Sequence, residues 1–106
     1  MILTTTERVP GKRVVETLGL VRGTTIRARH VGRDIQAFFR NLTGGEVIEY
    51  TKMLAEAREE AIGRLLEDAH RVGANAVIGM RFQTSTIVSG AAEMLCYGTA
   101  VRIEDE

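Results

Sequence analysis

A chain of 106 residues with 44% hydrophobic and 26% charged side chains has enough apolar material for one packed core and too much for a disordered segment. Its longest apolar runs are only a few residues, well short of the roughly 20 needed for a membrane-crossing helix, so no membrane partner is expected. Net charge is zero but uneven: residues 8–40 carry eight basic side chains against Glu16 and Asp34, a net of +6, while residues 41–106 sum to −5.

Twelve of the fourteen basic residues are arginine, whose planar guanidinium suits carboxylates and phosphates. The simplest account is that the two halves fold on each other or on a neighbouring copy; an anion site is the alternative. The basic half carries no RNA-binding signature and only Phe38 and Phe39 as aromatics, which argues against nucleic acid. The opening Met1–Thr6 lacks a basic region leading into a long apolar one, so no secretory signal is expected. A lone cysteine, Cys96, cannot close an intrachain disulfide, and a reducing cytoplasm is the expected setting.

The chain reads as one domain over residues 1–106. A first strand is expected at Ile2–Thr6, followed by a turn at Pro10-Gly11. Arg13–Val21 and Thr24–His30 are rich in β-branched residues, and Gly19 and Gly23 between them suggest a bulge or a hairpin turn. Asp34 then suits the cap of a short helix, whose Ile35, Phe38, Phe39 and Leu42 fall on one face. Gly44-Gly45 ends it.

A long helix is predicted from Glu46 to Val72. Val47, Tyr50, Met53, Leu54, Ala57, Ala61, Ile62, Leu65, Leu66, Ala69 and Val72 form its apolar stripe. Lys52–Glu56, Glu60–Arg64 and Glu67–Arg71 are candidate ion pairs for the other face. His70 and Arg71 suit the negative end of the helix dipole, and Gly73 suits the residue that stops the helix. At about 40 Å this rod outreaches the core of a lone chain this size, a first pointer to oligomers. Strands return at Asn75–Phe82, running on through Thr84 and Thr86, and at Glu93–Ile103 after a turn at Gly90. In the last strand Leu95, Tyr97, Thr99, Val101 and Ile103 share one face, while Cys96, Gly98 and Ala100 form a small-residue face open to close approach. The expected fold class is α+β: an antiparallel sheet packed by one long amphipathic helix plus one short helix.

Chemistry is harder to find. The soft metal donors are Cys96, His30 and His70, at least twenty-six residues apart and without CxxC, HxH or HxxE spacing. Their ordinary readings are a small core residue, an exposed strand-end histidine and a dipole partner. Gly44-Gly45 before a helix could receive an anion but lacks a phosphate-loop lysine, so a plain turn is the simpler reading. Thr4-Thr5-Thr6 fits a strand edge better than a nucleophile. Glu59-Glu60 point in different directions on a helix and make no carboxylate dyad. Tyr50 is the one polar aromatic on the stripe, where packing is its first role. No catalytic residue is assigned, and neither metal nor cofactor ligands can be named.

Several segments together resemble the YbjQ family: Met1–Thr6, Gly11 into Val14-Val15 and Leu18-Gly19, Asp34-Ile35 to Gly44-Gly45, Tyr50, and Ala57-Arg58 with Ala61. The most specific are Gly73-Ala74-Asn75-Ala76-Val77-Ile78-Gly79 and Gly98-Thr99-Ala100-Val101. The resemblance covers nearly the whole chain. It implies a dodecin-like α+β fold assembling as a homopentameric ring, and a heavy-metal label that attaches to no ligand residue here. The family often has a serine- and alanine-containing stretch where this chain reads Met94-Leu95-Cys96-Tyr97-Gly98, so Cys96 is a poor family-wide ligand. The expected function is a non-enzymatic ring-forming protein that binds a small ligand or ion between subunits; the alternatives are a heavy-metal binder and an enzyme of unknown reaction.

Overall fold

The computed structural model describes residues 1–28, 46–88 and 91–106, with backbone alone at 27–28, 46–51, 86–88 and 91. The expected short helix at 35–42, the Gly44-Gly45 break and the Gly90 turn lie outside the described residues. Among the described residues, four strands and one helix follow in the order β1 (Ile2–Leu3), β2 (Lys12–Ala28), α1 (Glu46–Arg71), β3 (Ala76–Val88) and β4 (Ala91–Asp105). The strands form one sheet in the order β1-β3-β4-β2.

The α+β class is as expected, but the sheet is mixed rather than antiparallel. β2 and β3 both run antiparallel to β4, whereas β1 runs parallel to β3 through Ile2↔Ala76 and Leu3↔Val77. The physical reason is that β1 reaches β3 from the far edge of the sheet, with β2 and α1 lying between them in sequence. β1 is also shorter than expected. After Leu3 the Thr4 and Thr6 hydroxyls bond each other at 2.8 Å and Thr6 Oγ1 donates to the Arg8 carbonyl, so the threonine run builds a turn.

Neither glycine in β2 makes a hairpin turn. The strand is continuous, with register shifts between Val14 and Glu16 and between Thr17 and Gly19. Gly23 has a different use: a β-carbon there would lie 2.0 Å from the Ala61 carbonyl oxygen and 2.5 Å from the Leu65 nitrogen. The helix backbone therefore rests directly on the strand. Its buried row is Ala57, Ala61, Leu65 and Ala69, each four residues on from the last and at most 1% exposed. Three alanines in this row bring the axis down onto Val21, Val77, Cys96 and Ala100, which share the same core. Leu54 and Ile62 flank it, and Val72 at the end of the predicted stripe is 42% exposed.

The Gly73–Gly79 segment stops the helix and starts the next strand. Gly73 adopts φ +84°, its N–H donates to the His70 carbonyl, and the Ala74 N–H reaches back to the Ala69 carbonyl, each at 3.0 Å. These two bonds define a Schellman stop, completed by the buried Ala69 and Ala74. Asn75 then acts as a side-chain extension of the sheet: its Nδ2 donates to the Ile103 carbonyl at 2.9 Å and its Oδ1 accepts from the Ile103 N–H at 2.8 Å. The most specific stretch of the resemblance is thus accounted for by architecture. On the opposite face of the sheet Ala76, Val101 and Ile103 make a smaller cluster with Val9 and Ile78.

The chain extends 55 × 22 × 16 Å with a radius of gyration of 17.3 Å, against about 13 Å for a compact chain of this length. Among the described residues no helix is long and apolar enough to cross a membrane.

Gly23 and Gly63 provide a matched test. Gly23→Ala should lower stability to urea by about 2–3 kcal/mol, because the helix must lift off the strand. Gly63→Ala, where an added β-carbon meets nothing within 4 Å, should raise it by about 0.5–1 kcal/mol through helix propensity. Equal effects at the two sites would contradict this packing.

Candidate functional site

β2 is an edge strand, and α1 crosses it in the opposite sense, so rising helix numbers meet falling strand numbers. Thr25, only 2% exposed, donates its hydroxyl to the Ala57 carbonyl at 3.1 Å. Gly23 meets Ala61 and Leu65. One turn further, Arg64 donates to the Thr24 carbonyl, and the Asp68 carboxylate accepts the Arg22 N–H at 3.2 Å. The last two contacts occupy backbone groups that point off the free edge of the sheet.

Between these contacts opens a groove of about 870 Å³, lined by Leu20, Arg22, Thr24, Arg64, Glu67, Asp68, Arg71 and Val72 among others. Three guanidinium groups face two carboxylates. Asp68 is engaged by Arg71 as well as by the Arg22 N–H. Arg64 bonds Glu60 at 2.6 Å, the one predicted helix ion pair found here, whereas Arg71 turns to Asp68 instead of Glu67. The Arg22 side chain makes no ion pair among the described residues. Helix positions 64, 68 and 71 share one face by their spacing, but their meeting with Arg22 depends on the sheet and was not visible in the sequence. The only sequence signal was the surplus of arginine in the first half.

A second concavity of about 250 Å³ lies at the other end of the sheet, with Val9, Ile78 and Ile103 among its lining residues. The ion pairs Arg13–Glu104 and Lys12–Asp105 stand beside it. Lys12 holds the Asp105 carboxyl below its usual range by hydrogen bonding and by charge attraction.

Of the residues singled out in the sequence, those among the described residues do not assemble into this groove or into another centre. Cys96 is fully buried under the helix, and burial pushes its thiol up from the ordinary value. That environment disfavours the thiolate that a soft metal needs. His70 is exposed on the last helical turn. Glu59 is exposed, and its neighbour Glu60 is committed to Arg64, so no carboxylate dyad forms. His30 and Gly44-Gly45 lie outside the described residues, as does the Tyr50 side chain. Among the described residues no three of His, Cys, Asp and Glu gather to hold a metal ion.

Comparison with known proteins fixes the lineage. A family model, YbjQ_1, described as "Putative heavy-metal-binding", matches residues 1–104. The chain belongs to the YbjQ family. A UPF0145 protein from Clostridioides difficile is 58% identical across the whole chain and 95% of its own length. UPF0145 proteins from Thermotoga maritima and Methanosarcina acetivorans are 57% and 54% identical, with 98% and 97% of this chain and the same shares of theirs covered. A crystal structure of a DUF74-family protein of unknown function from Pediococcus pentosaceus superposes with a TM-score of 0.68 at 18% identity over 98% of both chains. That likeness speaks for the fold alone.

The burial of Cys96 has a sign that can be checked. Its raised folded-state value means that keeping the thiol protonated favours the native state. This contribution is fully present below the unfolded thiol value of about 8.5 and is lost as pH rises through the higher folded value. The native protein at about pH 7.5 should resist a thiol reagent that labels the urea-unfolded chain at once. Equal labelling rates would show that Cys96 is not enclosed.

Proposed function

We propose that this protein is a non-enzymatic, ring-forming binder of a small anionic ligand, a carboxylate or phosphate, held in the groove between β2 and the C-terminal half of α1. The observation that carries this reading is the convergence of Arg22, Arg64 and Arg71 on one groove, with the Arg22 guanidinium unpaired among the described residues. Guanidinium groups bind carboxylate and phosphate by charge-assisted, often paired hydrogen bonds. The groove lies open at the sheet edge, where a neighbouring subunit would reach it. The pentamer implied by the family resemblance and the cytoplasmic setting expected from a lone cysteine fit this reading, as does the buried, unpaired cysteine.

The family description favours a second reading, a heavy-metal binder. With no donor cluster among the described residues of one chain, such a site would draw side chains from several copies, which ring symmetry multiplies. Zinc, copper and cadmium titrations followed by calorimetry separate the two readings.

The anion reading predicts that inorganic phosphate or citrate at about 10 mM raises the melting temperature, because a ligand that binds only the native state stabilises it by mass action. Arg22→Gln should weaken that response at least fivefold while leaving the melting temperature without ligand unchanged. An unaltered melting curve at that concentration, or a response identical in Arg22→Gln, would count against the groove.

A further inference from the structure

We propose that the ligand of the groove between β2 and α1 is a monocarboxylate with an apolar tail, its carboxylate on Arg22 and its tail between Leu20 and Val72. This deepens the anion-binding reading above by naming its ligand class, and it rests on that reading.

Charge separates the two anions which that reading leaves open. Of the three arginines lining the groove, Arg71 is engaged by Asp68, and Arg64 by Glu60 and the Thr24 carbonyl. The Arg22 guanidinium has no such partner among the described residues. The lining sets Arg22, Arg64 and Arg71 against Glu67 and Asp68, a surplus of one positive charge. One carboxylate cancels that surplus. A phosphate monoester carries about −1.5 to −2 near pH 7, so it overshoots and meets the charges of Glu67 and Asp68. Like charges juxtaposed in this way reject a ligand.

The apolar walls define the rest of the ligand. Leu20 and Val72 both line the groove, yet they are 68% and 42% exposed. The antiparallel crossing of helix and strand brings them to the same end. Asp68 meets Arg22, so Val72, further along the chain, arrives where β2 has run back to Leu20. Leu20 and Arg22 stand two residues apart on one strand, about 7 Å, a distance that a short alkyl chain covers. Single exposed apolar side chains are ordinary. Two that close one end of a cavity holding a free guanidinium match a ligand with a charged head and a greasy tail. The cavity of about 870 Å³ also falls within the roughly 300–1,000 Å³ usual for enclosing an organic molecule, and a bare inorganic anion would leave most of it empty.

Calorimetric titration of the unaltered chain with butyrate, hexanoate and octanoate tests this, with inorganic phosphate and hexanamide as comparisons. Affinity should rise at least about threefold for each two CH₂ groups added, against a limit of about fifteenfold for full burial. Hexanoate should bind about tenfold or more tighter than phosphate, and tighter by a similar factor than hexanamide, its uncharged counterpart. Arg22→Gln should weaken all three carboxylates by a common factor of about five or more. Leu20→Thr/Val72→Thr should instead bring octanoate and butyrate within about twofold of each other. Threonine suits a strand, so native circular dichroism should persist in this variant; if it does not, the ligand series on the unaltered chain decides alone. If neither the carboxylates nor phosphate bind, or if Arg22→Gln binds them unchanged, the anion reading itself falls. If phosphate equals hexanoate, or affinity is flat with chain length, only the present inference falls. Hexanamide binding as tightly as hexanoate would also overturn it, because the tail would then be held without the charge.

Discussion

The structure depends on how closely one helix can lie against one strand. Gly23 has no side chain, and the facing row on α1 is mostly alanine, so the Ala61 carbonyl and the Leu65 nitrogen sit where a β-carbon would otherwise be. Dispersion falls off steeply with separation, so this approach raises the contact made by every atom in the layer. It also places Thr25 within reach of the Ala57 carbonyl, and Asp68 and Arg64 within reach of the strand's outer backbone. A bulkier residue at position 23 would separate all of these pairs together. The groove at the sheet edge is thus a by-product of core packing: the same closeness that excludes water from Leu65 turns three arginines toward a common space.

Much of the fold was legible because periodicity reports which face of an element is buried. The stripe from Leu54 to Ala69, the stop at Gly73 and the small-residue face of Cys96, Gly98 and Ala100 were all readable from local spacing. What was not readable depended on pairing across the chain. Gly23 looked like a break in β2, because a glycine under a helix and a glycine in a turn are indistinguishable without the partner. The parallel pairing of β1 was hidden for a related reason: two residues leave no pattern, and their place is set by Asn75, Val77 and the stop of α1. The candidate site fared worst. Arg22 is forty-two residues from Arg64, and nothing local announces their meeting.

The functional vocabulary of the family and the chemistry of the chain point in different directions. Soft-metal binding calls for accessible thiolates or imidazoles close together, whereas the single thiol here is sealed under the helix and His70 stands exposed at its end. Guanidinium groups, by contrast, are plentiful and placed along an edge where a second copy could complete their surroundings.

The ladder between β2 and β4 has a further consequence for how the chain reaches this state. It joins Lys12 to Asp105 and Ala28 to Ala91, so each of its contacts closes a loop of more than sixty residues. The β3–β4 hairpin and the helix, by comparison, are formed from near neighbours. Folding speed falls as contacts become more distant in sequence, which makes β2 the slow element. During synthesis its first half must wait, with both edges bare, until β4 has been made.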